Sequence, residues 1–146
     1  MKIYLDMCSL QRPLDDKRQL RILLEAEAVL GILGLIDKGA AALANSDVLI
    51  FENSANPNEI RRAFAEQILR KSNFFIQADE LVEKLAKDYV QAGIAALDAL
   101  HLASAVVGKC DCFCSCDDKL VKKARSILPE GVQVKTPLEL AVELDP

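Results

Sequence analysis

Short apolar runs alternate with longer segments of helical spacing along this chain. Runs of strand composition occupy Lys2–Leu5, Phe74–Ile76, 112–115 and 132–134. Segments with helical spacing, caps and stop signals occupy 58–71, 79–93, 98–107 and 118–126, and a last helical turn or two begins at Pro137. Because helices and short strands alternate, the pattern predicts a parallel sheet with helices on both faces.

The segment after the first strand is predicted to be a loop through Arg12 and Pro13, followed by a long helix. Asp15 or Asp16 begins this helix, and Gly39 stops it. A broad apolar face of the helix is expected to be buried. Its members are Leu20, Leu23, Leu24, Val29, Leu30, Leu33 and Leu35.

The stretch 40–53 has two interpretations that the sequence alone does not separate. In one, the strand is 48–51, a run of Val, Leu, Ile and Phe. In the other, the strand is about 41–44 and Ser46 caps a short helix that carries Glu52.

Four acidic residues are predicted to meet at one edge of the sheet. Asp6 closes the first strand, Asp117 follows the run 112–115, Asp98 begins an Ala-rich helix, and Glu52 belongs to the ambiguous stretch. Ligands of open parallel sheets bind beyond the carboxyl ends of the strands. Carboxylates in one pocket repel each other unless protons or a divalent cation neutralise them, so the pattern indicates a metal-dependent hydrolase.

Two of these acids have simpler alternative roles. Asp98 at a helix start is equally suited to be an N-cap, which needs no function beyond helix stability. Glu52 taken alone is an ordinary solvated surface carboxylate. The combined placement of the acids, rather than any one of them, carries the functional prediction.

Composition places the chain among ordinary soluble globular proteins. Its 146 residues are 51% apolar and 27% charged, which fits one domain spanning 1–146. No apolar stretch approaches the roughly 20 residues that span a bilayer, and 1–6 lacks the features of a secretory leader. We therefore expect a cytoplasmic protein without membrane contact, whose five cysteines are reduced.

The formal net charge of −4 is weak evidence against a polyanionic substrate. The chain has 22 acidic and 18 basic residues, so the acids outside the candidate site equal the bases in number. Local charge distribution decides such binding more than the sum does.

Four segments of the chain, in order, resemble the motifs of the PIN domain family, the fold of VapC-type toxin ribonucleases. They are IYLDMC at 3–8, SDVLIFE at 46–52, LDALHLASA at 97–105 and FCSCDDKL at 113–120. The third is the most recognisable, and the first two are weak when taken alone. The resemblance extends from Met1 to about Leu140.

This resemblance implies a three-layer α/β/α sandwich with a five-stranded, mainly parallel sheet, and it favours the helical interpretation for Glu52. It also implies endonucleolytic cleavage of RNA with Mg²⁺ or Mn²⁺ held by Asp6, Glu52, Asp98 and Asp117, leaving 5′-phosphate and 3′-hydroxyl ends. Ser115 stands where the family often has Thr or Ser, and its hydroxyl is expected to orient a carboxylate or water.

Two details of the motifs need a choice between neighbours. Asp118 is the alternative to Asp117 as metal ligand, but as the first helical residue it is expected to cap the helix instead. Met7 and Cys8 stand where small hydroxyl residues or Asn are common, so Cys8 is expected to be a weaker hydrogen-bonding partner for Asp6.

The histidine and the cysteine run are both interpreted as packing residues. His101 lies one helical turn after Asp98 among apolar neighbours, which favours a buried neutral imidazole over a ligand or general base. Cys110, Cys112, Cys114 and Cys116 alternate along a strand and are too far apart for one zinc ion, so they are expected to fill a buried strand.

Substrate and partners follow from the basic residues and from the resemblance. Arg12, Arg61, Arg62 and Lys119 neighbour the acidic segments and are candidate contacts to RNA phosphates. The resemblance implies a homodimer and, for a toxin, a small antitoxin protein that masks the site.

Two other functions compete with a ribonuclease. One is a non-catalytic PIN-like module that binds nucleic acid or protein. The other is a phosphoacceptor receiver domain, which also carries acids at a sheet edge. A receiver domain is expected to have paired acids after its first strand, whereas Asp6 stands alone.

Overall fold

A computed structural model describes residues 1–145, and Pro146, the last residue of the predicted domain 1–146, lies outside the described residues. The strands are β1 (Lys2–Leu5), β2 (Ala42–Ser46), β3 (Phe74–Ile76), β4 (Cys112–Cys114) and β5 (Gln133–Lys135). The helices are α1 (Met7–Gln11), α2 (Leu20–Asp37), α3 (Asp47–Ser54), α4 (Glu59–Leu69), α5 (Glu80–Gln91), α6 (Ala96–Val107), α7 (Asp118–Ile127) and α8 (Pro137–Leu144), with a 3₁₀ turn at Arg12–Leu14.

The five strands form one parallel sheet in the order β3-β2-β1-β4-β5, as the predicted α/β/α sandwich requires. β1 lies at the centre, paired with β2 on one side and with β4 on the other. Ile3, Tyr4, Leu5, Phe113 and Cys114 are fully buried. Because β1 and β4 are neighbours, the residues that follow Leu5 and Cys114 emerge side by side at the same edge.

The ambiguous stretch adopts the second interpretation. β2 ends at Ser46, whose Oγ accepts a hydrogen bond from the Leu49 N–H at 3.0 Å and so caps α3. The strand interpretation of 48–51 was wrong, because Val48 and Leu49 pack inward on a helix while Ile50 and Phe51 are exposed. Because the segment is a helix, only some side chains of this apolar run face the core.

The region before α2 differs from its prediction. Residues 7–14 are helical rather than a loop, and α2 begins at Leu20, not at Asp15 or Asp16. Asp15 pairs with Arg12 and Arg61, and Asp16 pairs with Arg18, so neither carboxylate caps the helix. The stop at Gly39 was predicted correctly, since this glycine has a φ of +78° that favours glycine.

The buried face of α2 is not the leucine-rich face. Of the predicted face only Val29 is buried, and the exposed members are Leu20, Leu23, Leu24 and Leu30. The helix instead turns small residues and isoleucines inward: Ala26, Ala28, Val29, Ile32 and Ile36. An apolar groove of about 600 Å³, lined by Leu30, Leu33 and Phe64 among others, remains beside α2 and α4.

The later elements follow the predicted pattern closely. Asn58 caps α4 and Asp79 caps α5, each accepting a hydrogen bond from a backbone N–H three residues on. Within residues 1–145, no helix combines the length and the apolar character that crossing a bilayer demands.

Candidate functional site

Asp6 leaves the carboxyl end of β1 and is held by both neighbouring elements. Its backbone N–H donates to the Cys114 carbonyl of β4 at 3.1 Å, and its Oδ1 accepts from the Ser9 N–H at 3.0 Å, which caps α1. Cys8 Sγ donates to the same Oδ1 at 3.1 Å. Burial raises the pKa of Asp6, while hydrogen bonds from Ser115, Cys8 and Ser9 partly oppose that rise. Asp6 is thus a buried carboxylate with a fixed orientation.

Asp117, rather than Asp118, caps α7. Asp117 Oδ1 accepts from the Lys119 N–H at 3.0 Å and from the Leu120 N–H at 3.2 Å. The expectation that Asp118 caps this helix was wrong, because its carboxylate pairs with Arg21, the Nη1 to Oδ2 distance being 2.6 Å. Asp117 therefore remains the acid at the sheet edge, and its Oδ2 lies outside the cap hydrogen bonds.

Asp98 lies in the first turn of α6 but does not cap it. The N-cap is Ala95, which makes no side-chain cap hydrogen bond, so the N-cap role considered for Asp98 is excluded. Burial raises the pKa of Asp98, and the charges of Asp6, Asp117 and Glu52 raise it further. The four acids scattered along the sequence therefore share one electrostatic environment.

A cleft of about 390 Å³ brings two of these acids together with basic side chains. Asp98 and Asp117 line it, and so do Lys119 and Lys123. Its remaining lining comes mainly from the end of α5 and from the turn before α6, including Gly93 and Ile94. The cleft therefore places two carboxylates beside two ammonium groups.

Ser115, which follows β4, forms hydrogen bonds both with Asp6 after β1 and with the backbone of Asp117. Its Oγ accepts from the Asp117 N–H at 3.0 Å, and its hydrogen bond to Asp6 lowers the pKa of that acid. Cys8 Sγ lies 3.7 Å from the same oxygen. The hydroxyl at position 115 therefore contacts groups of both acids.

Glu52 contacts His101 directly, and this contact is the last in a line of hydrogen bonds that runs through the core. His101 Nε2 lies 2.6 Å from Glu52 Oε1, and His101 Nδ1 lies 2.6 Å from the Tyr4 hydroxyl. That hydroxyl in turn lies 2.8 Å from Ser46 Oγ. The imidazole is 2% exposed, which agrees with a packed histidine. Sequence reasoning missed its contact with Glu52, because its two partners come from β1 and α3, which are far from α6 in the sequence.

Three of the four candidate RNA-binding residues make internal contacts. Arg12 pairs with Asp15, its Nη1 to Oδ2 distance being 2.8 Å, and Arg61 pairs with the same carboxylate. Arg62 donates to the Asn56 carbonyl at 2.7 Å. Lys119 is exposed and lines the acidic cleft, which makes it the best placed of the set.

The cysteine run is buried, as predicted. Cys110, Cys112, Cys114 and Cys116 are at most 5% exposed. Burial raises the pKa of Cys110 to about 11 and that of Cys112 to about 12, so both stay thiols at neutral pH. Cys110, Cys112 and Cys114 act as small apolar residues of β4 and its flank, whereas Cys116 Sγ lies 3.7 Å from Ser9 Oγ.

The acids suit a hard divalent cation in their chemistry. All four offer carboxylate oxygens, the ligands that Mg²⁺ and Mn²⁺ prefer. Within residues 1–145, no three His, Cys, Asp or Glu side chains are arranged closely enough to hold a metal ion. Binding a cation here would require these side chains to move together.

Similar folds occur among solved structures. FitAcB from Neisseria gonorrhoeae matches with a TM-score of 0.57 and 17% identity, covering 93% of this chain and 98% of that one. VapBC2 from Rickettsia felis, in a complex bound to a DNA fragment from the promoter, matches with a TM-score of 0.59, 14% identity and the same coverage. The chain has a PIN-like fold.

The PIN-like fold is carried by topology rather than by close sequence similarity. No protein-family model matches the chain, and no curated protein sequence does so either. The two similar structures share fewer than one residue in five with it. Their likeness establishes the arrangement of strands and helices, while the chemistry rests on this chain's own residues.

Proposed function

We propose that this chain is a metal-dependent endoribonuclease that hydrolyses RNA phosphodiester bonds. One observation carries the proposal: the pKa of Asp98 is raised by burial and by the charges of Asp6, Asp117 and Glu52. The charges of the neighbouring carboxylates disfavour ionised Asp98 in the folded protein, and a bound cation would offset that repulsion. The PIN-like fold supports the same conclusion.

Asp6, Glu52, Asp98 and Asp117 would hold Mg²⁺ or Mn²⁺. Such a cation, when bound, supplies Lewis acidity that lowers the pKa of a water and neutralises phosphate charge. The chain's own part is to fix the ligands. Ser9, Cys8 and Ser115 orient Asp6, and the first turn of α7 orients Asp117.

RNA phosphates are proposed to bind along the cleft beside the acids. Lys119 and Lys123 line this cleft, and their ammonium groups would offset the repulsion between the phosphates and Asp98 and Asp117. Arg12, Arg61 and Arg62 contribute to RNA binding only if they exchange their internal partners for phosphate. Only 5% of the residues are aromatic, so backbone contacts rather than base stacking are expected to dominate.

A role as the toxin of a toxin–antitoxin pair is proposed as well. The motifs resemble those of VapC-type toxins, and VapBC2 has a similar fold, which supports a small antitoxin protein as partner. Several large apolar side chains of α2 and α3 are exposed: Leu20, Leu24, Leu30, Ile50 and Phe51. Such surfaces favour burial against another chain, and a homodimer is proposed. Sedimentation equilibrium of the purified chain tests the dimer, and co-expression with the product of a neighbouring short reading frame tests the antitoxin.

The decisive experiment measures Mn²⁺-dependent cleavage of RNA by matched variants. Asp6→Asn and Asp98→Asn are expected to abolish cleavage while the fold remains, since Asn keeps the size of Asp but removes its charge. Asp118→Asn is the control, because Asp118 pairs with Arg21 at the surface, and it should retain activity. Substantial metal-dependent cleavage by Asp98→Asn would contradict the proposal.

A non-catalytic binding module is the second candidate. It is favoured by one observation, the lack of three converged ligands among residues 1–145. The same assay separates the two functions. RNA binding without cleavage at saturating Mn²⁺, unchanged by Asp98→Asn, would identify a binding module.

A further inference from the structure

We propose that His101 is a positioning residue: together with Tyr4 and Ser46 it holds Glu52 with one carboxylate oxygen committed, leaving the other for a cation. This inference rests on the proposed function, since it assigns a purpose to the orientation of Glu52. It also predicts which ring nitrogen of His101 is protonated, and this prediction is tested on the metal-free protein.

The contacts form one unbranched line through the core. Ser46 Oγ accepts from the Leu49 N–H at 3.0 Å, and the Tyr4 hydroxyl lies 2.8 Å from Ser46 Oγ. The hydroxyl then meets His101 Nδ1, and His101 Nε2 meets Glu52 Oε1, both at 2.6 Å. Tyr4 and Ser46 are fully buried, whereas the Glu52 side chain is 32% exposed. The line therefore runs from the core to the site.

Only one placement of the hydrogens satisfies every group in this line. The Tyr4 hydroxyl is fully buried and has two partners, Ser46 Oγ and His101 Nδ1, so it can accept from one and donate to the other. With Ser46 donating to Tyr4, Tyr4 donates to Nδ1 of the imidazole, and the Nε2–H donates to Glu52. If Nδ1 were protonated, Tyr4 would donate to Ser46, and the Ser46 hydroxyl hydrogen would have no acceptor among its contacts within residues 1–145. The geometry thus selects an imidazole that carries its proton on Nε2 and accepts at Nδ1.

This line does more than fill the core, because its two ends, Ser46 and Glu52, both belong to α3 and its cap. Ser46 caps the start of α3, and Glu52 lies on the same helix six residues later. Tyr4 of β1 and His101 of α6 join these two points through the core. Both the helix start and the Glu52 side chain are thereby fixed relative to Asp6, which follows β1, and to Asp98, which lies on α6.

Orientation of Glu52 matters because a cation at this edge needs ligands from four separate elements. A glutamate side chain free in solvent samples many rotamers, and ordering it opposes metal binding. The Nε2–H holds Oε1, so Oε2 is the oxygen left for a cation. Residues that orient metal ligands typically contribute about 10- to 100-fold to metal affinity or activity.

Two substitutions at position 101 separate positioning from packing. His101→Met keeps a large apolar side chain but removes the donor to Glu52. His101→Gln keeps an N–H donor near the position of Nε2. Tyr4→Phe keeps the ring that stacks on Phe113, with centroids 5.6 Å apart, and removes only the hydroxyl.

The Mn²⁺ dissociation constant of each variant is measured by titration, without RNA. His101→Met is expected to weaken Mn²⁺ binding about 10- to 100-fold, His101→Gln to restore most of that loss, and Tyr4→Phe to fall between them. Leu140→Ala, a fully buried position in α8 outside the site, is the control for a destabilised core and should bind Mn²⁺ as wild type does. Equal Mn²⁺ affinity in wild type, His101→Met and Tyr4→Phe would overturn the positioning role.

The tautomer is tested by nitrogen NMR of the metal-free protein, where the single histidine makes assignment direct. A protonated Nε2 with an unprotonated Nδ1 is expected, and the Nε2–H should become more exposed to solvent exchange in Glu52→Gln. A proton on Nδ1 at neutral pH would overturn the hydrogen-bond line even if His101→Met does not fold.

Failure of wild type to bind Mn²⁺ would overturn the metal-dependent function and the positioning role together. Wild-type binding that His101→Met leaves unchanged would overturn the positioning role alone.

Discussion

Asp98 shows how a single residue can join stability to function. It lies in the first turn of α6, where a negative charge favours the helix dipole, yet burial and three neighbouring acids raise its pKa. The raised pKa means that the folded protein disfavours the charged carboxylate. Removing this charge is therefore expected to stabilise the metal-free fold while it removes a proposed metal ligand.

Asp98→Asn is predicted to raise the melting temperature in EDTA at pH 7 by roughly 2–4 °C, the shift that ~1 kcal/mol gives in a chain of this size. Because the pKa of Asp98 is raised in the folded state, its stabilising protonation is complete below the unfolded pKa and is lost as pH rises through the folded pKa. The stability advantage of Asp98→Asn over wild type should therefore shrink as the pH falls from 7.

Thermal melts between pH 4.5 and 7.5 check this prediction. Asp118→Asn is the matched control, since pairing with Arg21 lowers the pKa of Asp118 and its charge does not oppose folding. A melting temperature of Asp98→Asn at or below that of wild type in EDTA would contradict the repulsion argument.

Cys8 is the residue at which this chain departs from the motif it resembles, and the structure gives it a defined contact. Its thiol donates to Asp6 Oδ1 at 3.1 Å. Hydrogen bonding with Cys116, burial and the charge of Asp6 all raise the pKa of Cys8, so the proton needed for donation is retained at neutral pH. Cys8 therefore supports Asp6, as a weak donor.

Replacing Cys8 should change Mn²⁺ affinity according to the donor left behind. Cys8→Ala is predicted to weaken Mn²⁺ binding about tenfold, the factor that a hydrogen bond to a charged group of ~1.5 kcal/mol provides. Cys8→Ser keeps a donor of greater strength and should bind at least as tightly as wild type. Calorimetric titration measures both, and equal affinity of the Ala and Ser variants would show that the thiol does not support Asp6.

At the scale of elements, capping residues predicted where helices begin. Apolar spacing was a less reliable guide to the face that each helix buries. Ser46, Asn58 and Asp79 cap helices as their local sequence predicts. α2 did not follow its pattern, because its leucines occupy nearly every side and periodicity cannot choose among them. Packing against the 3₁₀ turn and α8 made that choice.

The junction of α6 and β3 is close enough to exclude any side chain at Gly108. A Cβ there would lie 2.4 Å from Ile76 Cδ1 and 3.0 Å from the Ser104 carbonyl oxygen. Gly108→Ala is therefore predicted to destabilise the fold by about 1–3 kcal/mol, as overpacked sites do.

Gly31→Ala is the matched control, since a Cβ at this position in α2 meets nothing within 4 Å. It should stabilise the protein by about 0.5–1 kcal/mol through helix propensity. Urea unfolding midpoints report both effects, and equal shifts in the two variants would contradict the packing argument.

At the scale of the whole molecule, the parallel sheet order is what assembles the site. β1 lies between β2 and β4, so Asp6, the end of β2 and the loop that carries Asp117 meet at one edge. α6 crosses the same edge with Asp98 and His101. A cation bound there would connect most of the sheet and should stabilise the fold as a unit.

Mn²⁺ is predicted to raise the unfolding free energy of wild type by about 2.7 kcal/mol at a free concentration 100 times its dissociation constant. The gain reflects binding to the folded state alone, because the four acids are apart in the unfolded chain. Thermal melts with Mn²⁺ and with EDTA measure it. Asp98→Asn should lose most of this gain at the same Mn²⁺ concentration, and a gain equal to that of wild type would place the cation elsewhere.

The sequence by itself determined much of the fold. Strands β1 and β3 and the limits of α5 followed from local composition and caps, and the order of four short motifs indicated both a PIN-like sheet and its edge of acids. These features are readable because they depend on residues close together in the chain. A cap, a stop or a strand run is decided within a few positions.

The tertiary structure alone decided which of two adjacent residues caps a helix, which face of a helix is buried and which distant side chains are in contact. It assigned the cap of α7 to Asp117 rather than Asp118, turned the leucines of α2 outward, and joined Glu52 to His101 and Tyr4. Each of these outcomes depends on partners far apart in sequence, such as Arg21 for Asp118. Local pattern carries no information about those partners, because long-range packing and charge pairing exist only once the sheet is assembled.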